Sequence, residues 1–177
     1  MRGIGAGVAV VWLIVVMTMP TAAQEAIFIV RHAERTDRSS DSTLSADGEA
    51  RAERLARHLR DAGIDAIYST SFRRTLGTAA PLSEALGLEV QTEPTLGPDP
   101  MGSDDGVSRY IEGLVARLGE RHATDRVVVV GHSNTLPALL AALGHPEEIS
   151  IAGDEYDNLF VVLPQPVGPP TMLRIRF

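Results

Sequence analysis

Two histidines of this chain each follow a hydrophobic segment that is typical of a buried strand. His32 is separated from the segment 26–30 only by Arg31, and His132 is separated from the valines 127–130 only by Gly131. Ligands of open α/β sheets bind at the carboxyl ends of the strands, so both imidazoles should reach one edge of a sheet. Two imidazoles and an arginine at one edge predict a binding site for a phosphoryl group.

Hydrolysis of a phosphomonoester needs a nucleophile, fixed positive charge on the phosphoryl oxygens and an acid for the leaving group. Neutral imidazole, with an ordinary pKa of about 6.5, is a competent nucleophile near pH 7. A neighbouring guanidinium opposes its protonation and also binds phosphate through two parallel hydrogen bonds. We therefore predict that His32 is the nucleophile and that Arg31 binds the phosphoryl group, while a protonated His132 would add a donor.

A second arginine should come from the end of another strand. The segment 68–75 begins where the second predicted strand ends and a helix starts, and the N-terminus of a helix favours an anion. On this ground either Arg73 or Arg74 can face the same pocket.

The composition excludes several other kinds of chemistry. The net charge is −7 without a basic run, which argues against nucleic acid as a partner. All 16 basic residues are arginine and cysteine is absent, which excludes a Walker A loop, lysine Schiff bases, thiol nucleophiles and cysteine-ligated metals. Histidines on separate strands without clustered carboxylates also argue against a metal site. We expect neither a metal ion nor any other cofactor.

The N-terminus has the pattern of a secretory signal peptide. Arg2 is followed by an apolar stretch, and small residues precede a predicted cleavage site after Ala23. The mature chain, residues 24–177, would then be one domain in the periplasm or secreted medium, with no stable membrane association. The alternative is an uncleaved membrane anchor, because the apolar stretch is near the lower length limit for a transmembrane helix.

From residue 26 onward, strand and helix patterns alternate, which predicts a three-layer α/β/α sandwich around a mainly parallel central sheet. Strands are predicted at 26–30, 64–68, 88–92, 127–130, 158–163 and 172–177. Helices are predicted from an N-cap at Ser45 to about 62, over 74–86 and 136–143, with a further helical stripe over 107–118. The second helix should bury Leu76, Ala79, Ala80 and Leu86. The segment 93–106 is predicted to be an irregular loop over the active edge.

The order of three motifs resembles that of the histidine phosphatase superfamily, which has the phosphoglycerate-mutase-like fold. The family's first motif, Arg-His-Gly, is similar to residues 31–33, and its last motif, Gly-His, is similar to residues 131–132. Its middle motif is similar to residues 69–79 and assigns the family arginine to Arg74 rather than Arg73. The resemblance, which covers about 27–163, implies that His32 becomes a transient phosphohistidine and that Arg31, Arg74 and His132 bind the phosphoryl group.

The chain departs from the family pattern at one position of the first motif and at the positions that concern the proton donor. Ala33 replaces the family glycine, and Ser133 stands where the acid-phosphatase branch has an aspartate. The mutase branch has a glutamate after the third strand, and Asp99 lies nearest that place, with Asp104 and Asp105 close by. We expect Asp99 to be the acid.

Glu34 follows the first motif directly. Its carboxylate is expected either at the substrate or in an ion pair with Arg31 or Arg35.

The function these residues predict is metal-independent hydrolysis of a phosphorylated small molecule or a phosphoprotein. A module of the same fold that binds a phospho-ligand without turnover is the main alternative. A mutase is disfavoured because mutases usually carry insertions that this short chain lacks. A serine esterase would use residues 131–135 as a nucleophile elbow, but Thr135 replaces its last glycine and no carboxylate separates Ser133 from His145.

Overall fold

A mixed six-stranded sheet organises the part of the chain that the computed structural model describes, residues 25–92 and 103–177. The elements, in chain order, are β1 (Ala26–Arg31), α1 (Ala46–Leu59), β2 (Ala66–Ser69), α2 (Arg73–Leu86), β3 (Val90–Thr92), α3 (Asp104–Arg121), β4 (Arg126–Gly131), α4 (Thr135–Ala142), β5 (Asn158–Leu163) and β6 (Thr171–Arg176). The strand order is β3-β2-β4-β1-β5-β6. The predicted signal peptide, 1–23, and Asp99 lie outside the described residues.

The first four strands are parallel, and β5 and β6 add an antiparallel hairpin beside β1. The predicted, mainly parallel sheet is therefore confirmed for its central part. β1 and β4 lie next to each other in the middle, and their register aligns Ile27 with Val127 and Arg31 with Gly131. This register places the residues that follow the two strands side by side.

Two hydrophobic clusters lie on opposite faces of the sheet and make the fold a three-layer sandwich. On one face, α3 and α4 pack Leu114, Leu118 and Leu136 against the sheet, which contributes Ile27, Val127 and Phe160 among others. On the other face, α1 and α2 pack Leu55, Leu59 and Leu82 against Val128 and Val130. The alternation of β4 residues between the two clusters explains why all four valines are buried.

Local signals locate the start of α1 and the end of α2, whereas α1 ends at Leu59, before the predicted end at about 62. Ser45 caps α1 by accepting a hydrogen bond from the Gly48 amide at 3.2 Å, as predicted. Gly87 ends α2 in the left-handed conformation, with φ of 66°, which glycine adopts without strain.

The buried face of α2 differs from the prediction. Ala79 is buried as expected, but Ala80 is exposed, and the helix buries Thr75, Thr78 and Leu82 instead. The apolar pattern was misleading because the first turns of α2 face a polar site rather than the hydrophobic core.

The prediction of an irregular segment over 93–106 is wrong at its end, because α3 begins at Asp104. Ser103 caps this helix by accepting a hydrogen bond from the Gly106 amide at 3.1 Å. Asp104 and Asp105 occupy the first turn, where their charges favour the helix dipole. Within residues 25–92 and 103–177, no helix is both long and apolar enough to cross a membrane.

Candidate active site

Four polar side chains are buried together at the carboxyl edge of the central strands. Arg31, His32, Arg74 and His132 are only 5%, 4%, 9% and 5% exposed. The His32 amide donates a hydrogen bond to the Gly131 carbonyl at 2.9 Å, which continues the pairing of β1 with β4 by one residue. As a result the centroids of the two imidazole rings lie 5.4 Å apart.

The hydrogen bond made by His32 determines which of its nitrogens is free. His32 Nδ1 lies 2.7 Å from the carbonyl oxygen of Ala33. A carbonyl oxygen can only accept, so Nδ1 carries the proton of the neutral ring. The lone pair of the imidazole is therefore on Nε2.

His132 has hydrogen-bond partners at both nitrogens. Its Nε2 lies 2.9 Å from Thr70 Oγ1, which lies 2.8 Å from Thr75 Oγ1. Since the Thr75 hydroxyl donates to a backbone carbonyl, Thr70 donates to Thr75 and accepts the proton of His132 Nε2. On the other side of the ring, Arg74 Nη2 lies 3.4 Å from Nδ1, which accepts.

Burial and nearby arginines keep both rings neutral at pH 7. The pKa of His32 is lowered to about 4, mainly by burial and further by the charges of Arg31 and Arg74. The pKa of His132 is lowered to about 2, again mainly by burial and next by the charge of Arg74. Without a ligand, His132 is therefore neutral, because the buried ring lies beside a fixed cation, and the donor that a protonated His132 would add requires a further negative charge in the site.

Three backbone carbonyls of the loop before β5 hold the Arg31 guanidinium. Nη1 donates to Ala152 O at 2.9 Å and to Glu155 O at 3.1 Å, and Nη2 donates to Gly153 O at 3.1 Å. The guanidinium carbon also lies 4.0 Å from the centre of the Tyr156 ring. Three of the five N–H groups are thus engaged. The buried Nε has no partner among the described residues, so it remains available to a ligand.

Arg74, rather than its neighbour Arg73, lies beside His132. Its Nη1 donates to Ser40 O at 2.7 Å, and its Nε is buried without a partner in the described part of the chain. The side chain of Arg73 is exposed, and its backbone amide donates to Asp41 Oδ1 at 2.8 Å. The register suggested by the middle motif therefore agrees with the structure.

Glu34 is not brought to the histidines. Its carboxylate pairs with Arg51 of α1, whose Nε lies 2.9 Å from both carboxylate oxygens. Burial, the largest single cause, would raise the pKa of Glu34, but the hydrogen bonds from Arg51, a backbone hydrogen bond and the charges of Arg51 and Arg54 together lower it. The expected partners, Arg31 and Arg35, were wrong because the neighbour of Glu34 comes from a helix 17 positions away in sequence.

Sequence reasoning missed several residues of the site. Tyr156 lies with its ring centre 5.9 Å from that of His32, Thr70 orients His132, and Thr78 accepts a hydrogen bond from the Ala33 amide at 2.9 Å. Thr70 and Thr78 lie inside the middle motif, which could have indicated them. No local pattern marks Tyr156, because a loop far along the chain delivers it. Within the described residues, no group of three or more histidines or carboxylates could hold a metal ion.

The comparison with family models agrees with this site. The model of the histidine phosphatase superfamily (branch 1) matches residues 27–109, a range that includes Arg31, His32 and Arg74. Over these 83 of its 177 residues the chain is similar to the histidine phosphatase superfamily. Its second histidine, His132, lies after the matched range, and it is the parallel pairing of β1 with β4 that brings it to the first.

Curated relatives match part of the chain. The chain is 38% identical over 77 residues to a Yersinia enterocolitica protein named "Probable phosphoglycerate mutase GpmB". This match covers 40% of the chain and 36% of the relative, so it spans only about a third of that protein's length.

Solved structures of the same fold cover most of the chain. The protein histidine phosphatase SixA in complex with tungstate superposes with a TM-score of 0.65 at 23% identity, covering 85% of this chain and 96% of SixA. A mycobacterial glucosyl-3-phosphoglycerate phosphatase superposes with a TM-score of 0.62 at 18% identity, covering 86% and 98%. These likenesses establish the phosphoglycerate-mutase-like fold.

Proposed function

We propose that this protein is a metal-independent phosphomonoester hydrolase that acts through a phosphohistidine on His32. The proposal rests on the hydrogen bond and the protonation of the His32 imidazole. Its Nδ1 is committed to the Ala33 carbonyl, so an unprotonated Nε2 is left at the edge where the Nε atoms of Arg31 and Arg74 are buried without a partner among the described residues.

The geometry supports a two-step transfer. The two guanidinium groups bind the phosphoryl oxygens, His32 Nε2 forms a bond to phosphorus, and the ester oxygen leaves with a proton from an acid. A water molecule then attacks phosphorus, the N–P bond breaks, and the same acid group recovers the proton. Because Nδ1 keeps its proton on the Ala33 carbonyl, the imidazole leaves the second step as a neutral ring.

His132 is proposed to donate to the phosphoryl group in the liganded site. The dianionic charge of a bound phosphoryl group opposes the effect of Arg74 and favours protonation of a neighbouring imidazole. Protonation would place a hydrogen on Nδ1, while Nε2 keeps its bond to Thr70. Such a donor is oriented before the reaction and stabilises charge that develops in the transition state.

Asp99 is proposed as the leaving-group acid, as its place after the third strand suggested. An aryl ester such as p-nitrophenyl phosphate needs little protonation of its leaving group, whereas an alkyl phosphate needs much. Asp99→Asn should therefore impair hydrolysis of an alkyl phosphate far more than that of p-nitrophenyl phosphate. Equal losses on both substrates, or none, would move the acid role to Asp104 or Asp105, since Glu34 is paired with Arg51.

The substrate class is proposed to be phosphorylated small molecules, with phosphoproteins as the second candidate. The solved structures named above include a glucosyl-3-phosphoglycerate phosphatase and a protein histidine phosphatase, which keeps both classes open. A panel of phosphorylated metabolites and phosphopeptides, assayed for released phosphate, would separate them.

Mutase activity is a second candidate because the curated relative carries that name. Conversion of 3-phosphoglycerate to 2-phosphoglycerate without release of phosphate would favour it.

Release of phosphate from p-nitrophenyl phosphate in the presence of EDTA tests the main proposal. We expect turnover without added metal, and an acid-labile, base-stable phosphate on the wild-type protein after rapid quenching. Phosphate binding without turnover would instead identify a binding module. Activity that disappears with EDTA and returns with a metal ion would overturn the metal-independent mechanism.

Export to the periplasm or medium is proposed from the N-terminal pattern. Mass spectrometry of the natively expressed protein should find a mature N-terminus at or near Gln24. An intact N-terminus in a membrane fraction would favour the anchor.

A further inference from the structure

The turn that holds Arg31 is itself fixed by one carboxylate. Glu155 Oε2 accepts a hydrogen bond from the Ala152 amide at 3.0 Å, and the Glu155 amide donates to the Ala152 carbonyl at 3.1 Å. These two bonds close the turn 152–155, which points its carbonyls at the Arg31 guanidinium. The other oxygen of Glu155 faces β6, where Arg174 Nη2 donates to it at 2.8 Å and Arg176 Nη2 also donates to it.

The carbonyls leave only one edge of Arg31 available. Nη1 uses both of its N–H groups, on Ala152 and Glu155, and Nη2 uses one on Gly153. The remaining donors are the Nε–H and one N–H of Nη2, and Nε has no partner among the described residues. Two neighbouring donors on one edge of a guanidinium are the arrangement that binds two oxygens of a phosphate.

We propose that Glu155 is a positioning residue for Arg31. Its carboxylate anchors the turn 152–155 to β6, and the turn holds the guanidinium with its free edge presented to the phosphoryl group. The inference rests on the proposed function, because it gives Arg31 the role of binding phosphate. It adds a residue that lies outside all three motifs and whose backbone carbonyl contacts Arg31.

The chain offers a matched control in the same turn. Asp154 is an exposed carboxylate next to Glu155, and no hydrogen bond or ion pair of its side chain is found within the described residues. Asp154→Asn removes the same charge as Glu155→Gln but leaves the anchoring bonds intact. A difference between these variants therefore reports on the hydrogen bonds of Glu155 rather than on the charge of the loop.

Two measurements test the proposal on the whole protein. Hydrogen exchange should be faster at the Ala152 amide in Glu155→Gln than in Asp154→Asn. Tungstate binding, measured by calorimetry, should weaken about tenfold in Glu155→Gln, the size expected for losing one charge-assisted hydrogen bond. Arg176→Gln, which removes one donor to Glu155 from an exposed strand, should shift both readouts in the same direction and provides a second route if Glu155→Gln folds poorly.

A double-mutant cycle separates positioning from a general effect on stability. If Glu155 acts through Arg31, Glu155→Gln should weaken tungstate binding much less in an Arg31→Lys background than in the wild type. An equal loss in both backgrounds, an unchanged affinity in Glu155→Gln, or an equal loss in Asp154→Asn would overturn the inference. Failure of the wild-type protein to bind tungstate would overturn the proposed function as well, so the two failures are distinguishable.

Discussion

The site contains two histidine–arginine pairs whose histidines each follow a buried strand, and the two pairs differ in structure. His32 and Arg31 are neighbours at the end of β1, whereas His132 at the end of β4 meets Arg74 from α2. His32 has one nitrogen fixed and one available, while His132 has partners at both nitrogens. The motif alone, a histidine after a buried strand, does not distinguish the two rings, but their hydrogen-bond partners do.

The two pairs also differ in what holds the arginine. The backbone of a loop more than a hundred positions further along the chain holds Arg31, and Ser40 holds Arg74 together with His132. The first pair is therefore a ring with a free lone pair beside a clamped cation. In the second pair, the His132 ring is oriented by its hydrogen bonds to Thr70 and Arg74, and Thr70 is bonded in turn to Thr75. The following experiments test this division of roles.

Replacing each histidine by asparagine should give the largest difference between the pairs. His32→Asn removes the atom that we propose forms the bond to phosphorus, so turnover of p-nitrophenyl phosphate should fall at least about a thousandfold. His132→Asn removes one donor to the transition state and should cost about a hundredfold. Initial rates measure both, and circular dichroism confirms the fold. A His132 variant more damaged than the His32 variant would reverse the assigned roles.

The two neighbouring arginines of α2 should differ strongly when each is replaced by alanine. Arg74→Ala removes a buried cation beside His132, and a loss of at least about a hundredfold in rate is expected. Arg73→Ala changes an exposed side chain and serves as the matched control, with a rate within about threefold of the wild type. Greater damage in the Arg73 variant would show that the assigned register is wrong.

Loss of the hydrogen bond between His132 and Thr70 should reduce the rate less than replacement of His132 or Arg74. Thr70→Val removes the acceptor of the Nε2 proton at nearly constant volume, and about a tenfold loss of rate is expected because the ring is less well oriented. Thr36→Val removes a hydroxyl whose partner, Thr43, lies outside the site, and it should leave the rate unchanged. Equal rates in the two variants would mean that this hydrogen bond does not orient His132.

The smallest effect is a difference in titration, which nuclear magnetic resonance can follow directly. The imidazole signal of His32, assigned with His32→Asn, should titrate near pH 4, and that of His132 should remain neutral down to about pH 2. Both folded values lie below the ordinary pKa of about 6.5, so the unfolded chain binds more protons in between. The contribution of these rings to stability therefore falls as the pH decreases below about 6.5. A titration of His32 near 6.5 would contradict the burial that the structure shows.

Local patterns were sufficient to predict much of the scaffold. The apolar segments before His32 and His132 predicted the two central strands, and Ser45 and Gly87 marked helix ends correctly. Such signals work because burial periodicity and capping depend on residues close together in the chain. The inward face of α2 was less well predicted, since Ala80 is exposed and Thr78 is buried. A polar site, rather than the core, decided which residues face inward there.

The sequence by itself determined which residues could carry the chemistry: two histidines after buried strands, arginines beside them, and neither lysine nor cysteine. Only the tertiary structure decided how those residues are used. The protonation of His32 depends on the carbonyl it faces, and the free edge of Arg31 depends on a turn 121 to 124 positions away. Glu34 likewise pairs with Arg51 because the fold places α1 beside it. Hydrogen-bond partners follow from which elements pack together, and no local pattern in the chain encodes that packing.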